Sequence, residues 1–111
     1  MAVFATVSCN GTQYDIQFDP PSPPPAIPLQ GEISITLDQS IVSDCFVQFD
    51  QPVLQGTQPL SAHTPVKLSR GQTIPKFYVT QPPSPPYTVN MKAGSDSIGP
   101  WCTPHPITVS R

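Results

Sequence analysis

Charge is scarce in this chain: 111 residues carry seven acids and five bases, for a net charge of −2. The bases Lys67, Arg70, Lys76, Lys92 and Arg111 are scattered over the second half, so no basic patch stands ready to replace the counterions of a nucleic-acid backbone. Nucleic acid is excluded as an expected partner. There is one tryptophan, one glutamate and two histidines, which leaves few perturbable groups from which to build an active site. No nucleophile elbow, glycine-rich phosphate loop, Walker lysine or His-Glu-x-x-His stands in the chain, and no enzymatic activity is expected. No apolar run approaches the ~20 residues that a membrane helix needs, so no membrane association is expected either.

The start, Met1-Ala2-Val3-Phe4-Ala5-Thr6, lacks both the basic opening and the long apolar middle of a signal peptide. As written the chain reads as cytoplasmic, and as secreted if a leader was removed. The three cysteines, Cys9, Cys45 and Cys102, are odd in number and widely spaced, so no closed disulfide framework is implied. Two readings stay open: a single Cys45–Cys102 bridge between sheets, or reduced, partly buried thiols. Helical periodicity is missing too, for no two-turn stretch places apolar residues at i, i+3, i+4 and i+7.

What the chain has in abundance is proline, 17 residues, placed between segments of alternating apolar and polar character. Val3 to Cys9 and Thr12 to Phe18 flank Asn10-Gly11, whose preference for positive φ suits a two-residue hairpin turn. That turn predicts Val7 opposite Tyr14 and Ala5 opposite Ile16, with Val3, Cys9 and Phe18 on the same inward face. Residues Pro20 to Pro28 read as polyproline II over the surface, because proline has no donor for a central strand. Gly31 to Leu37 alternates with Ile33, Ile35 and Leu37 inward. Ile41 to Phe49 follows with Cys45, Val47 and Phe49 inward, and the two are expected to pair as a second hairpin.

Leu60 to Leu68, interrupted by Pro65, reads as an edge strand, and Ile74 to Thr80, Tyr87 to Met91 and Ile107 to Val109 complete the set. Together these predict a single domain over 1–111. Its expected class is an all-β, seven- to eight-stranded, antiparallel Greek-key β-sandwich of immunoglobulin-like type with Pro-rich connecting loops. All bases follow residue 66 while six of seven acids precede residue 51, so a dipolar molecule able to associate head to tail is a further expectation.

Function is expected to lie in the loops at one end of such a sandwich, above all Gly94 to His105. The candidate contact residues for a protein partner, or for self-association, are Trp101, Tyr87, Asp96 and His105. Tyr14 is a further candidate anchor, because rigid aromatic side chains on a low-charge, amide-rich surface suit recognition by stacking and neutral hydrogen bonds. The same composition suits a carbohydrate, provided that Trp101 is exposed. The two Pro-Pro-Ser-Pro-Pro runs at 20–24 and 82–86 resemble ligands of proline-binding domains, although no base flanks them.

Trp101-Cys102-Thr103-Pro104-His105 resembles the ligand loop of the blue-copper proteins, the cupredoxins, in which a Cys-x-Pro-His element offers copper a thiolate and an imidazole. That resemblance implies a mononuclear copper site of His63, Cys102 and His105. It covers only these few residues, and the methionine expected after the second histidine is absent. The leading expectation is therefore a non-catalytic recognition or assembly module without a cofactor.

Overall fold

The computed structural model describes residues 2–11, 13–19, 26–28, 30–42, 44–71, 74–79 and 87–110. Eleven strands form among them and no helix. They are β1 (Ala2–Asn10), β2 (Gln13–Asp19), β3 (Ala26–Pro28), β4 (Glu32–Leu37), β5 (Cys45–Phe49), β6 (Val53–Gln55), β7 (Gln58–Leu60), β8 (Val66–Leu68), β9 (Phe77–Val79), β10 (Tyr87–Gly94) and β11 (His105–Ser110). One sheet runs β2-β1-β4-β9-β6-β7 and the other β3-β11-β10-β5-β8.

Alternation decides which side chains meet. Val3, Ala5 and Val7 of β1, Ile33 and Ile35 of β4 and Phe77 and Val79 of β9 are buried together with Cys45, Val47 and Phe49 of β5, Val89 and Met91 of β10 and Ile107 and Val109 of β11. One core thus serves both sheets, and Phe49 meets Phe77 across it at a ring-centroid distance of 5.1 Å. In β1 and β4 every second residue is hidden because side chains point alternately to the two faces, whereas the central strand β5 also buries the intervening Gln48.

The sheets are mixed, which corrects the all-antiparallel expectation: β1 runs parallel to β4, and β3 runs parallel to β11. Parallel neighbours need a long crossover, and here the path from β1 to β4 passes through β2 and β3. The expected hairpin between Gly31–Leu37 and Ile41–Phe49 does not form either. Instead β4 pairs with β1 and β9 while β5 pairs with β10 and β8, so the chain crosses from one sheet to the other between them. Both segments carry one apolar face, and that pattern alone does not say whether two strands lie side by side or face to face.

The first hairpin forms with its inward face as expected but with its partners displaced. Val7 lies opposite Ile16, Cys9 opposite Tyr14, and Asn10 itself pairs with Gln13. The chain therefore turns one residue later, at Gly11, whose φ is 67°. Moving the turn by one residue changes every partner by two, so the same residues stay inward and hydrophobicity could not choose between the two registers.

Three further elements depart from expectation. Residues 26–28, read as polyproline II, form the edge strand β3, and Ile27 is fully buried there. Polyproline II and β backbones differ little in φ and ψ, so a proline-flanked residue can join an edge. The hairpin β6–β7 turns at Gly56 (φ 63°) where no strand was expected. Leu60 to Leu68 divides into β7 and β8, each an edge strand of a different sheet, with Pro65 just before β8. The Pro-rich runs 20–24 and 82–86 lie outside the described residues.

Charges mix rather than segregate. Lys67 reaches Asp44 at 3.1 Å and Lys76 reaches Glu32 at 3.6 Å, so two of the late bases lie beside two of the early acids, which runs against the dipolar expectation. Arg70 donates from one guanidinium nitrogen to the carbonyls of Leu37 (3.3 Å), Asp38 (2.7 Å) and Ile41 (3.3 Å). The β4–β5 crossover is further tied by Asp38, whose carboxylate accepts from the Ser40 amide and hydroxyl; these hydrogen bonds hold its pKa below the usual value. Ser40 Oγ in turn accepts from the Cys9 amide at 2.9 Å. Arg70→Ala should cost about 1–2 kcal/mol, because three carbonyls lose a charged donor at a partly solvated site. Urea unfolding of the variant measures it, and Arg70→Lys should recover part of the loss, since all three bonds come from one nitrogen and an ammonium carries three donors on one.

Candidate functional site

Strand directions bring four connections to one end of the two sheets. Since β1 is parallel to β4, the turn at Gly11 and the crossover 38–44 share an end; since β5 is antiparallel to β10 and β8, the connections after Gly94 and after Leu68 join them there. At this end a cleft of about 430 Å³ opens between the first hairpin, through Gln13 and Tyr14, and Pro100, Trp101, Cys102 and Thr103.

The wall at 100–103 is held by the end of β10. Cys102 donates its amide to the Ala93 carbonyl at 2.8 Å, and the Ala93 amide donates back to Cys102 Sγ at 3.2 Å. Gly94 forms a bridge to Trp101. Two glycines make the bed of the indole. A Cβ on Gly94 would lie 2.5 Å from the Pro100 carbonyl oxygen and 3.1 Å from Trp101 Cε3. One on Gly99, where φ is 92°, would lie 2.9 Å from Trp101 Cδ1. The indole therefore settles where no other residue type would let it, half-buried, and its N–H engages no acceptor among the described residues.

The opposite wall is Tyr14, inward-facing on β2 and half-buried. Burial, the neighbouring Cys9 and Cys45 and a hydrogen bond with Cys9 raise the pKa of its phenol, so it stays protonated. Cys102 is a thiol rather than a thiolate for a similar reason: burial raises its pKa, with Asp15 adding to the effect, and Sγ donates to the Thr103 carbonyl at 3.3 Å. None of the six lining residues carries a charged side chain.

Of the residues singled out in the sequence, Trp101 lines the cleft and His105 stands beside it. His105 opens β11, meets the Phe18 ring edge-on at 6.2 Å and places Nε2 3.3 Å from Asp15 Oδ1, which ties β11 to β2 of the other sheet. Asp96 serves its own loop, its carboxylate accepting the Ser97 amide at 2.6 Å and its carbonyl the Gly99 amide at 3.1 Å. Tyr87 begins β10 and stands at the far end of that strand. Pro100 and Thr103 fall in the loop from Gly94 to His105 that was expected to make the contact, whereas Gln13 was not foreseen, because nothing in the chain marks residues 13–14 and 100–103 as neighbours.

The three proposed copper ligands are not brought together. His63 is exposed between β7 and β8, its amide donating to the Phe49 carbonyl at 2.7 Å. Phe49 pairs with Met91, and Met91 with His105, so β5 and β10 separate the two histidines. Among the described residues no group of three His, Cys, Asp or Glu side chains is placed to hold a metal ion. The Cys45–Cys102 pairing does not occur; all three cysteines are free thiols.

Burial raises Cys45 furthest, to about 11, with Asp44 adding to it. In the unfolded chain this thiol ionises near its ordinary value of about 8.5. The folded state thus binds the proton over a pH range in which the unfolded state has lost it. The stability so conferred is complete below the unfolded pKa and is lost as pH rises through about 11. Alkylation of the native protein by iodoacetamide at pH 9, read by peptide mass, should spare Cys45. Unfolding in denaturant should release it to react.

A second cleft of about 420 Å³ lies over Thr36, Leu37, Ser69, Arg70, Gly71 and Ile74. Its one charged group is already committed to the three crossover carbonyls. No family model matches the chain, and comparison with curated proteins and with solved structures finds no match.

Proposed function

We propose that this chain is a non-catalytic recognition module that binds a protein partner in the cleft between Tyr14 and Trp101. The observation that carries the reading is the seating of Trp101: a large aromatic side chain held half-exposed on two glycines, with its donor unused among the described residues. Interfaces draw their affinity from such rigid anchors, since little side-chain entropy is lost on binding. The chemistry of the neighbours supports binding over catalysis. Cys102 is a protonated thiol bonded to backbone, and the His105 imidazole faces Asp15.

We read the architecture as an immunoglobulin-like Greek-key β-sandwich. Strands β4 and β9 are neighbours in one sheet, β5 and β10 in the other, and the chain crosses sheets both from β4 to β5 and from β9 to β10. The order β11-β10-β5 follows the G-F-C order of an immunoglobulin sheet and β4-β9 its B-E pair. On this reading the hairpins β1–β2 and β6–β7 are additions, and the first of them builds one wall of the cleft.

Peptides selected on the immobilised protein, and a glycan panel as the competing ligand class, would be sorted by their effect on the emission of the single tryptophan. Selected peptides should shield Trp101 from acrylamide, and Thr103→Lys, a bulky charge on an exposed cleft residue, should weaken them by about tenfold. Glycans alone shielding Trp101 would replace the protein-partner reading. Peptides that bind with Trp101 unaffected would place recognition elsewhere.

A further inference from the structure

The cleft has a chemical character that narrows its ligand. None of its described lining residues carries a charged side chain, so a charged segment would lose hydration there without an opposite charge among them to offset the loss. Its polar groups include one that can only donate, the Trp101 indole N–H, which has no acceptor among the described residues. The Tyr14 phenol is already hydrogen-bonded with Cys9, so this wall offers its ring face. Two flat rings and one unused donor, the Trp101 N–H, match a proline-rich segment, which offers pyrrolidine faces, carbonyl acceptors and few backbone N–H groups, and which loses little entropy on docking.

The chain itself contains two such segments, Pro-Pro-Ser-Pro-Pro at 20–24 and at 82–86, both uncharged. Their own molecule's cleft is out of reach. Residues 80–86 connect Val79 to Tyr87, and Tyr87 stands seven strand residues from Gly94, roughly 23 Å at ~3.3 Å per residue. Val79 bonds Gly31 just before β4 begins, about 20 Å from that strand's cleft end at Leu37. A path to the cleft and back of about 43 Å exceeds the ~29 Å that eight extended peptide steps can span. Residues 20–25 connect Asp19, about 20 Å from the cleft end of β2, to Ala26, which pairs with Thr108 about 10 Å along β11. Seven steps of ~3.6 Å fall short of that path as well.

Resting on the reading of the cleft as a recognition site, we propose that it takes an uncharged proline-rich segment, supplied by residues 20–24 or 82–86 of a second copy, so that copies join head to tail. The contact is heterologous: the cleft end of one copy meets the opposite end of the next, and the assembly is a ring if the rotation closes and a filament if it does not. Charge is not its basis, since neither the six described lining residues nor the two proline-rich segments carry a charged side chain.

The test combines sedimentation velocity over a concentration series with a titration of the synthetic peptide Thr-Gln-Pro-Pro-Ser-Pro-Pro-Tyr-Thr, residues 80–88, read by Trp101 quenching. Expected are self-association that the peptide reverses and an affinity for the peptide that falls by about tenfold or more when its four prolines become alanine. Thr103→Lys should weaken both association and peptide binding by about tenfold. A chain carrying Pro21→Ser, Pro23→Ser, Pro83→Ser and Pro85→Ser should lose association yet still bind the peptide, which shows that its cleft is folded. A monomer at all concentrations that nevertheless binds the peptide overturns the second copy as the source. No peptide binding, while other selected ligands still shield Trp101, overturns the proline class and spares the recognition reading. No ligand of any class acting on Trp101 overturns both.

Discussion

Phe77→Ala is expected to lower stability by about 3–5 kcal/mol, a large share of the 5–15 kcal/mol typical of a domain. Phe77 is fully buried on β9 and its ring lies against Phe49 of β5, so its removal opens a cavity where the two sheets meet. The short strand β9, only three residues, pairs with β4 on one side and β6 on the other, and its neighbours have little freedom to collapse into the gap. Thermal unfolding should shift downward by on the order of 15 °C. Phe49→Ala should act similarly, but the double variant should cost less than the sum by about 1 kcal/mol, because the ring pair is lost only once. Strict additivity in that cycle would mean that the two sheets do not share this contact.

Gly94→Ala is expected to cost about 3 kcal/mol, at the upper end for overpacking, because the added methyl meets a backbone oxygen, Pro100 O at 2.5 Å, that no rotamer change can move away. The segment 100–102 must shift, and with it the indole that rests 3.1 Å from the same position. The emission maximum of the single tryptophan should therefore move even in the folded variant. Gly99→Ala should move it too, through a 2.9 Å approach to Cδ1 combined with a positive φ, which costs a side chain about 1 kcal/mol by itself. Gly71→Ala is the control: its φ is also positive, but a Cβ there meets nothing within 4 Å, so it should lose stability slightly and leave the emission unchanged.

Alternation made the inward residues legible. Val3, Ala5, Val7, Ile33, Ile35, Cys45, Val47 and Phe49 are buried where the pattern places them, because burial of one strand face is a local property written in every second residue. Pairing was less legible. The register of the first hairpin shifted by two without moving a single apolar side chain across the sheet, and a parallel neighbour for β1 lies 30 residues on, beyond any local signal. Three-residue strands such as β3 and β6 carry too few alternations to stand out, and proline masks the first of them.

At the cleft, Trp101 was legible because a lone tryptophan between glycines and prolines on a loop is conspicuous. Asp96 looked the same from the sequence but spends its carboxylate on Ser97. Cys102 and His105 sit three residues apart as in a copper loop, yet His63 lies beside Phe49 and is separated from His105 by β5 and β10. Gln13 and Tyr14 became a wall only through the crossing of β2 toward β10, a tertiary fact with no trace in spacing.

The indole N–H of Trp101 gives one resolved nitrogen–proton signal in a ¹⁵N-labelled sample, and following it during addition of the proline-rich peptide tests the role of the cleft most directly. Binding there predicts that this signal shifts and that its exchange with water slows, together with the amides of Gln13, Tyr14 and Thr103. A signal that stays in place while amides at the far end of β10 move would contradict it.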